Sequence, residues 1–324
     1  MSVHGDFKIP ASAQPKPGDY AYDLDRALAA MVSLSTRVPL EAFTAETLGT
    51  ERAGNGVVIR EDGLVLTIGY LVMEADTVWL TTHDGRSVPA HVVGYDAVTG
   101  FGLVQALGDL DLPALALGTA SILKTGDRAV LAGAGGRKHS VAVELIGRQE
   151  FAGYWEYVLD EALFTAPCHP HWGGTGLIGP SGELIGIGSL QLQQGGTGPA
   201  RAINMVVPID LLPPILEDLQ TRGRADRPPR PWLGLYATET EDGVVVMGLT
   251  DDGPAESADL RPGDILAAVA NEPVRDLAGF FRQVWALGDA GIRVPLTLRR
   301  DGRTLTVSVT SVDREAFLVR PPLH

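Results

Sequence analysis

The chain has 324 residues, 45% of them hydrophobic; at about 100–200 residues per domain it holds two domains, and the apolar fraction excludes a disordered polymer. Its formal net charge of −14, with no offsetting Lys/Arg run, repels phosphate backbones and anionic headgroups, so no nucleic-acid partner is expected. Cys168 is the single cysteine, which excludes an intrachain disulfide and gives no support for an oxidising compartment.

Residues 1–19 are rich in proline and small polar residues and read as a flexible N-terminal arm, with Phe7 and Tyr20 available to dock on a neighbour. They lack the apolar stretch of a secretory signal, and no later run reaches the roughly 18 apolar residues of a membrane span. A cytoplasmic location without membrane insertion is therefore expected. Leu24, Leu28, Met31 and Val32 recur at helical spacing behind Asp23, predicting a helix over 23–34 with Asp23 as N-cap. Beyond Gly54 the pattern becomes short Val/Leu/Thr runs separated by turns at Glu61-Asp62-Gly63 and His83-Asp84-Gly85, the texture of an all-β barrel or sandwich. A helix is predicted over 209–221, started by Pro208 and stopped by Gly223, and the Arg/Pro-rich stretch that follows reads as a linker. Strands at 232–237, 243–249 and 264–270, helices at 254–259 and 276–287, and two closing strands across 293–310 complete the pattern, the last pair turning at Asp301-Gly302. Gly133, Gly135 and Gly136 lack the spacing and the Lys-Ser/Thr of a phosphate loop, and no cofactor is expected.

Three stretches carry a family resemblance: GNGVVIREDGLVLTIGYLV at 54–72, DGRSVPAHVVGYDAVTGFGLV at 84–104 and GGTGLIGPSGELIGIGS at 173–189. They resemble HtrA serine proteases. WLGLYATE at 232–239 and GPAESADLRPGDILAAVANEPV at 253–274 are similar to the PDZ domains of the same family. The resemblance implies a mainly β chain: a trypsin-like double six-stranded antiparallel β-barrel over 20–224, a linker at 225–231, one α/β PDZ domain over 232–315 and a tail at 316–324. It also implies a homo-oligomer, a trimer in the family.

A serine protease needs a nucleophilic hydroxyl, a base within hydrogen-bond reach and an acid that orients the base. Aligned with the family motifs, the base position holds Tyr70, the orienting acid Gly100 and the nucleophile Trp172. Pro170 stands where the family lends a second backbone N–H to the oxyanion hole, and proline has none. The expectation is a protein that is not an enzyme. An alternative stays open: Cys168 with His169 or His171 as a non-standard peptidase site, or all three as metal ligands. Pro170 stiffens that loop and adjacent residues seldom point at one centre, so the reading of the residues favours neither metal nor thiol chemistry.

PDZ domains bind by adding a peptide strand to a sheet edge and holding its terminal carboxylate on backbone N–H groups. Leu233, Gly234 and Leu235 are the expected carboxylate loop, and Phe280, Phe281 and Val284 the helical wall of an apolar pocket. The expected partners are peptide C-termini with a hydrophobic last residue, or unfolded segments. Asp259 replaces a glycine usual in the family and is expected to disturb the adjacent helix. The competing reading is a PDZ domain occluded by the barrel.

Overall fold

The computed structural model describes residues 8–195 and 200–319. The chain divides into two compact units, the first made of Met1–Gln149, Glu161–Asp226 and Val319–His324, the second of Glu150–Asp160 and Arg227–Leu318.

The first unit contains two closed six-stranded barrels. Strands β1 (Met31–Arg37), β2 (Glu51–Val58), β3 (Leu64–Ile68), β4 (Thr77–Thr81), β5 (Ser87–Tyr95) and β6 (Phe101–Ala106) close in the order β1-β2-β3-β6-β5-β4. Strands β7 (Arg128–Ala132), β8 (Ser140–Gly153), β9 (Tyr157–Ala166), β10 (Gly176–Ile178), β11 (Leu184–Gln194) and β12 (Arg201–Pro208) close as β10-β11-β12-β9-β8-β7. Every pairing with a register is antiparallel, and closure removes the exposed edges that would otherwise template aggregation. β3 is buried along its whole length, whereas β4 alternates exposed and buried residues as a one-sided strand should.

The helix expected over 23–34 is much shorter. Asp23 does cap it, accepting from the Arg26 amide at 3.0 Å, but the helix α1 spans only Leu24–Leu28, and Met31, Val32 and Leu34 lie in β1. After the short α2 (Ala45–Leu48), the helix expected at 209–221 is split into a 3-10 turn, Ile209–Leu211, and α3, Leu216–Arg222. Residues 8–19, expected within a flexible arm, are anchored instead: the buried Ile9 donates its amide to the Lys138 carbonyl, and Ala142 donates to Ala13, both at 2.8 Å. The docking expected of Phe7 lies outside the described residues, as does the end of the tail beyond residue 319.

The second unit is α/β. Strands β13 (Leu235–Thr240), β14 (Gly243–Leu249), β15 (Ile265–Val269), β17 (Arg293–Arg300) and β18 (Arg303–Thr310) form one sheet in that order, and β16 (Glu272–Pro273) pairs with β15. The last two strands meet with Arg300 opposite Arg303, as the Asp301-Gly302 turn requires. Helix α4 is Pro254–Ser257 and α5 is Leu277–Trp285, the latter capped by Asp276, whose carboxylate accepts from the Gly279 amide at 2.6 Å. Asp259 takes a left-handed φ of 60° just beyond α4, the conformation glycine ordinarily supplies after a helix. Its carboxylate is held by Arg261 at 2.9 Å and Arg300 at 3.4 Å, so the helix ends normally.

Candidate functional site

The three positions aligned with the family's triad come together in the first unit. Tyr70 sits on the 3-10 turn Gly69–Leu71 after β3, and the Gly69 amide donates to the Gly100 carbonyl at 2.7 Å. The Tyr70 hydroxyl donates to the Ser189 carbonyl at 2.9 Å and is hydrogen-bonded to the Trp172 side chain, whose indole N–H is the only donor it has. Burial pushes the Tyr70 phenol well above its ordinary range, and the Trp172 bond only partly opposes it. Asp96 Oδ2 accepts the Thr99 amide at 2.8 Å within its own turn. Beside these groups lies a cavity of about 280 Å³ lined by Ala53, Gly54, Tyr70, Leu71, Pro170, His171, Trp172 and Gly173.

The Cys168–His171 loop is held by structural bonds. His169 is only 2% exposed, and both ring nitrogens are engaged: Nδ1 accepts the His171 amide at 3.1 Å, so Nε2 carries the proton toward the His139 carbonyl at 2.9 Å. A base needs a free lone pair facing its substrate, and this ring offers none. Burial raises the Cys168 thiol, outweighing a bond with Asn204, whereas a nucleophilic cysteine has a lowered pKa. Cys168 Sγ approaches the His169 carbonyl, at 3.5 Å, and not an imidazole. Among the described residues no three His, Cys, Asp or Glu side chains gather at metal distance.

Two supports escaped the sequence reading. Asn55, 2% exposed, donates from Nδ2 to the His171 and Gly173 carbonyls (3.0 and 3.1 Å) and accepts the Ala134 amide on Oδ1 (3.0 Å). A buried asparagine between glycines in a strand is a residue β-sheets disfavour, and that mismatch was the available signal. Arg52, 5% exposed, donates to the Tyr70 and Met73 carbonyls, both at 2.9 Å, and to Thr44 Oγ1 at 2.6 Å.

In the second unit the amides of Leu233, Gly234 and Leu235 do converge, on the side chain of Glu156. They lie 3.1, 2.9 and 3.3 Å from its Oε1. Phe280, Phe281 and Val284, expected to line an open pocket, are at most 1% exposed and share an apolar cluster with Val158. Glu156 as a residue is partly exposed, but its carboxyl end is enclosed; burial pushes it up to about 7 from 4.5, against the pull of the three amides and of Arg314. A folded unit that keeps a proton the unfolded chain releases gains stability that is fully present below about pH 4.5 and lost as pH rises through about 7. Stability is expected to fall by up to about 3 kcal/mol between pH 5 and 8, and urea unfolding of Glu156→Gln should lack that slope. An equal slope in the variant would assign the effect elsewhere.

Residues 54–187 match the trypsin-like peptidase domain model and residues 231–310 the PDZ domain model. A variant of the HtrA-type protease AlgW with a tripeptide has the same fold, with a TM-score of 0.56 at 22% identity over 92% of this chain and 97% of its own. The chain has a trypsin-like peptidase domain followed by a PDZ domain, and shares the fold of that HtrA-type protease. Serine endoprotease DegS of Escherichia coli K12 is similar to this chain, 24% identical over 92% of it and 87% of DegS. A probable periplasmic serine endoprotease, DegP-like, of Pseudomonas fluorescens is 29% identical over 79% of the chain and 55% of the relative. The chain thus spans about half the length of the DegP-like relatives it matches. These relatives are named as periplasmic, which overturns the cytoplasmic expectation. The cysteine count carried no information against them, since a chain with one thiol suits either compartment.

Proposed function

We propose that this HtrA-type chain is a non-catalytic peptide-binding protein, a scaffold or regulator that engages peptide C-termini or unfolded segments through its PDZ domain. The observation that carries the reading is the Tyr70–Trp172 pair: at the positions of base and nucleophile, two aromatic side chains bond to each other and to the Ser189 carbonyl. A phenol raised by burial does not take a proton at neutral pH, and an indole has no nucleophilic oxygen. Gly100 offers no carboxylate, and Pro170 no oxyanion donor. On the binding side, the amides of residues 233–235 already hold a carboxyl group, and AlgW structures contain a tripeptide and a decapeptide. A homotrimer, implied by resemblance, would show by light scattering as three times the 34.3 kDa chain.

The test is cleavage of unfolded casein, with a fluorophosphonate probe for reactive serine. Neither turnover nor labelling is expected. Cleavage lost in Cys168→Ala would replace this reading with the non-standard peptidase. The double variant Tyr70→His/Trp172→Ser is also expected to stay inactive in the same assay, because the orienting acid and one oxyanion donor remain missing. Gly100 has φ 86°, so supplying an aspartate there would strain the backbone by about 1–2 kcal/mol.

A further inference from the structure

The segment that meets the PDZ loop belongs to the same chain. Residues 150–160, the distal end of β8 and β9 with their turn, group with the second unit. The Ala237 amide donates to the Tyr154 carbonyl at 3.0 Å, while the Leu235 amide donates to the Glu156 carboxylate at 3.3 Å. Stepping two residues forward along β13 corresponds to stepping two residues back along the segment. That is the register of an added antiparallel strand ending in a carboxylate on the loop, the arrangement by which a peptide C-terminus is captured. Glu156 has φ 61°, so the chain turns aside where a peptide would stop, and the side chain supplies the carboxylate that a terminus would have. Val158 is buried with Leu235, Phe280 and Val284. Arg282, on α5, holds both ends of the segment through Glu150 and Asp160.

We propose that the PDZ groove is occupied in cis by the 150–160 segment, with Glu156 as a built-in mimic of a peptide carboxylate, so that an incoming peptide binds by displacing it. The inference rests on the peptide-binding reading above. It makes the PDZ domain closed in its resting state: a free C-terminus with an apolar last residue competes for the same three amides and the same apolar cluster. An amidated peptide lacks the group that competes. Because the apparent affinity of a site falls with the fraction of molecules that are open, weakening the segment should tighten peptide binding without any change in the loop itself.

The experiment uses the full chain and a pool of decapeptides randomised at their last four positions, made once with free carboxylates and once amidated. Wild type, Glu156→Ala, Glu156→Gln and Arg282→Ala are immobilised and retained peptide is quantified. Glu156→Ala is expected to retain at least tenfold more of the acid pool than wild type, with a smaller gain for Arg282→Ala, which leaves the loop and Glu156 intact, and no gain for the amidated pool. Amide hydrogen exchange at Leu233, Gly234 and Leu235 should accelerate in Glu156→Ala without peptide. Circular dichroism selects folded variants, and Glu156→Gln, which keeps the shape of the side chain, serves if the alanine variant unfolds. Equal retention of the acid pool by wild type and the variants overturns the proposal and leaves the peptide-binding reading standing. No retention by any of them sinks that reading and the proposal with it.

Discussion

Gly174→Ala is expected to destabilise the first unit by about 2–5 kcal/mol, adding left-handed strain of about 1–2 kcal/mol to overpacking of about 1–3 kcal/mol. Gly174 has φ 74°, and a Cβ there would stand 1.9 Å from the Asn55 carbonyl oxygen and 2.6 Å from Thr67 Oγ1. The first of these is backbone in a closed barrel and cannot swing away; the second is tied to it, since Thr67 Oγ1 donates to the same carbonyl at 2.7 Å. Thermal unfolding should show a Tm lower by about 10 °C. Gly136→Ala separates the two contributions, because Gly136 has φ 72° with nothing within 4 Å of the added Cβ, so strain alone acts there. If both variants lose the same Tm, the close approach to Asn55 has no energetic weight. The effect reaches the cleft through the backbone: the Gly174 amide holds the Gly188 carbonyl at 2.9 Å, and the Asn55 amide holds the Gly173 carbonyl at 2.8 Å. Trp172 is anchored at the head of this loop.

Much of the second unit was legible in its sequence, because its signals are local. Asp301-Gly302 makes its hairpin, Asp276 caps its helix, and Leu277, Phe280, Phe281 and Val284 fall on one buried face. The start of the first unit was not. Leu24, Leu28, Met31 and Val32 satisfy a helical period, but the same stretch continues as Ser33-Leu34-Ser35-Thr36, and β1 pairs along its length with β2 and β4. Those partners lie far along the chain, and tertiary pairing overrides a short helical period. The resemblance points to Tyr70, Gly100 and Trp172 from residue types alone, and the reading of a non-catalytic chain was legible there as an expectation. The bonds these residues make were not: the Tyr70 hydroxyl bonds to a carbonyl 119 residues away, and no local pattern foretells it. Glu156 shows the same limit. An acid in the turn Gly-Tyr-Trp-Glu-Tyr carries no mark of the three amides 77 to 79 residues further on that receive it.

Arg52→Met should cost about 3–5 kcal/mol, the range for breaking a buried charged network by removing one partner. The guanidinium reaches four oxygens: Gly49 O at 3.0 Å through Nε, Tyr70 O and Met73 O at 2.9 Å through Nη1, and Thr44 Oγ1 at 2.6 Å through Nη2. Thr44 in turn donates to Glu74, whose carboxylate also accepts the amides of Phe43, Thr44 and Val319 at 3.0, 2.8 and 2.7 Å. Burial lowers the Arg52 pKa and Glu74 opposes that shift, so each charge makes the other tolerable. Methionine fills the volume of the stem but leaves three carbonyls without their donor and Glu74 without its nearby cation. Glu74→Gln removes the opposing charge, and the double variant should therefore lose less than the sum of the singles, with a coupling of about 1–3 kcal/mol in a double-mutant cycle. Additive losses would mean that Arg52 acts through the carbonyls alone. Either way Tyr70 is the residue affected, because the arginine holds its backbone while Ser189 and Trp172 hold its hydroxyl. A Tyr70 fluorescence or exchange signature that survives Arg52→Met at unchanged stability would show that the ring is positioned from the cleft side only, and the buried arginine would then belong to the barrel rather than to the site.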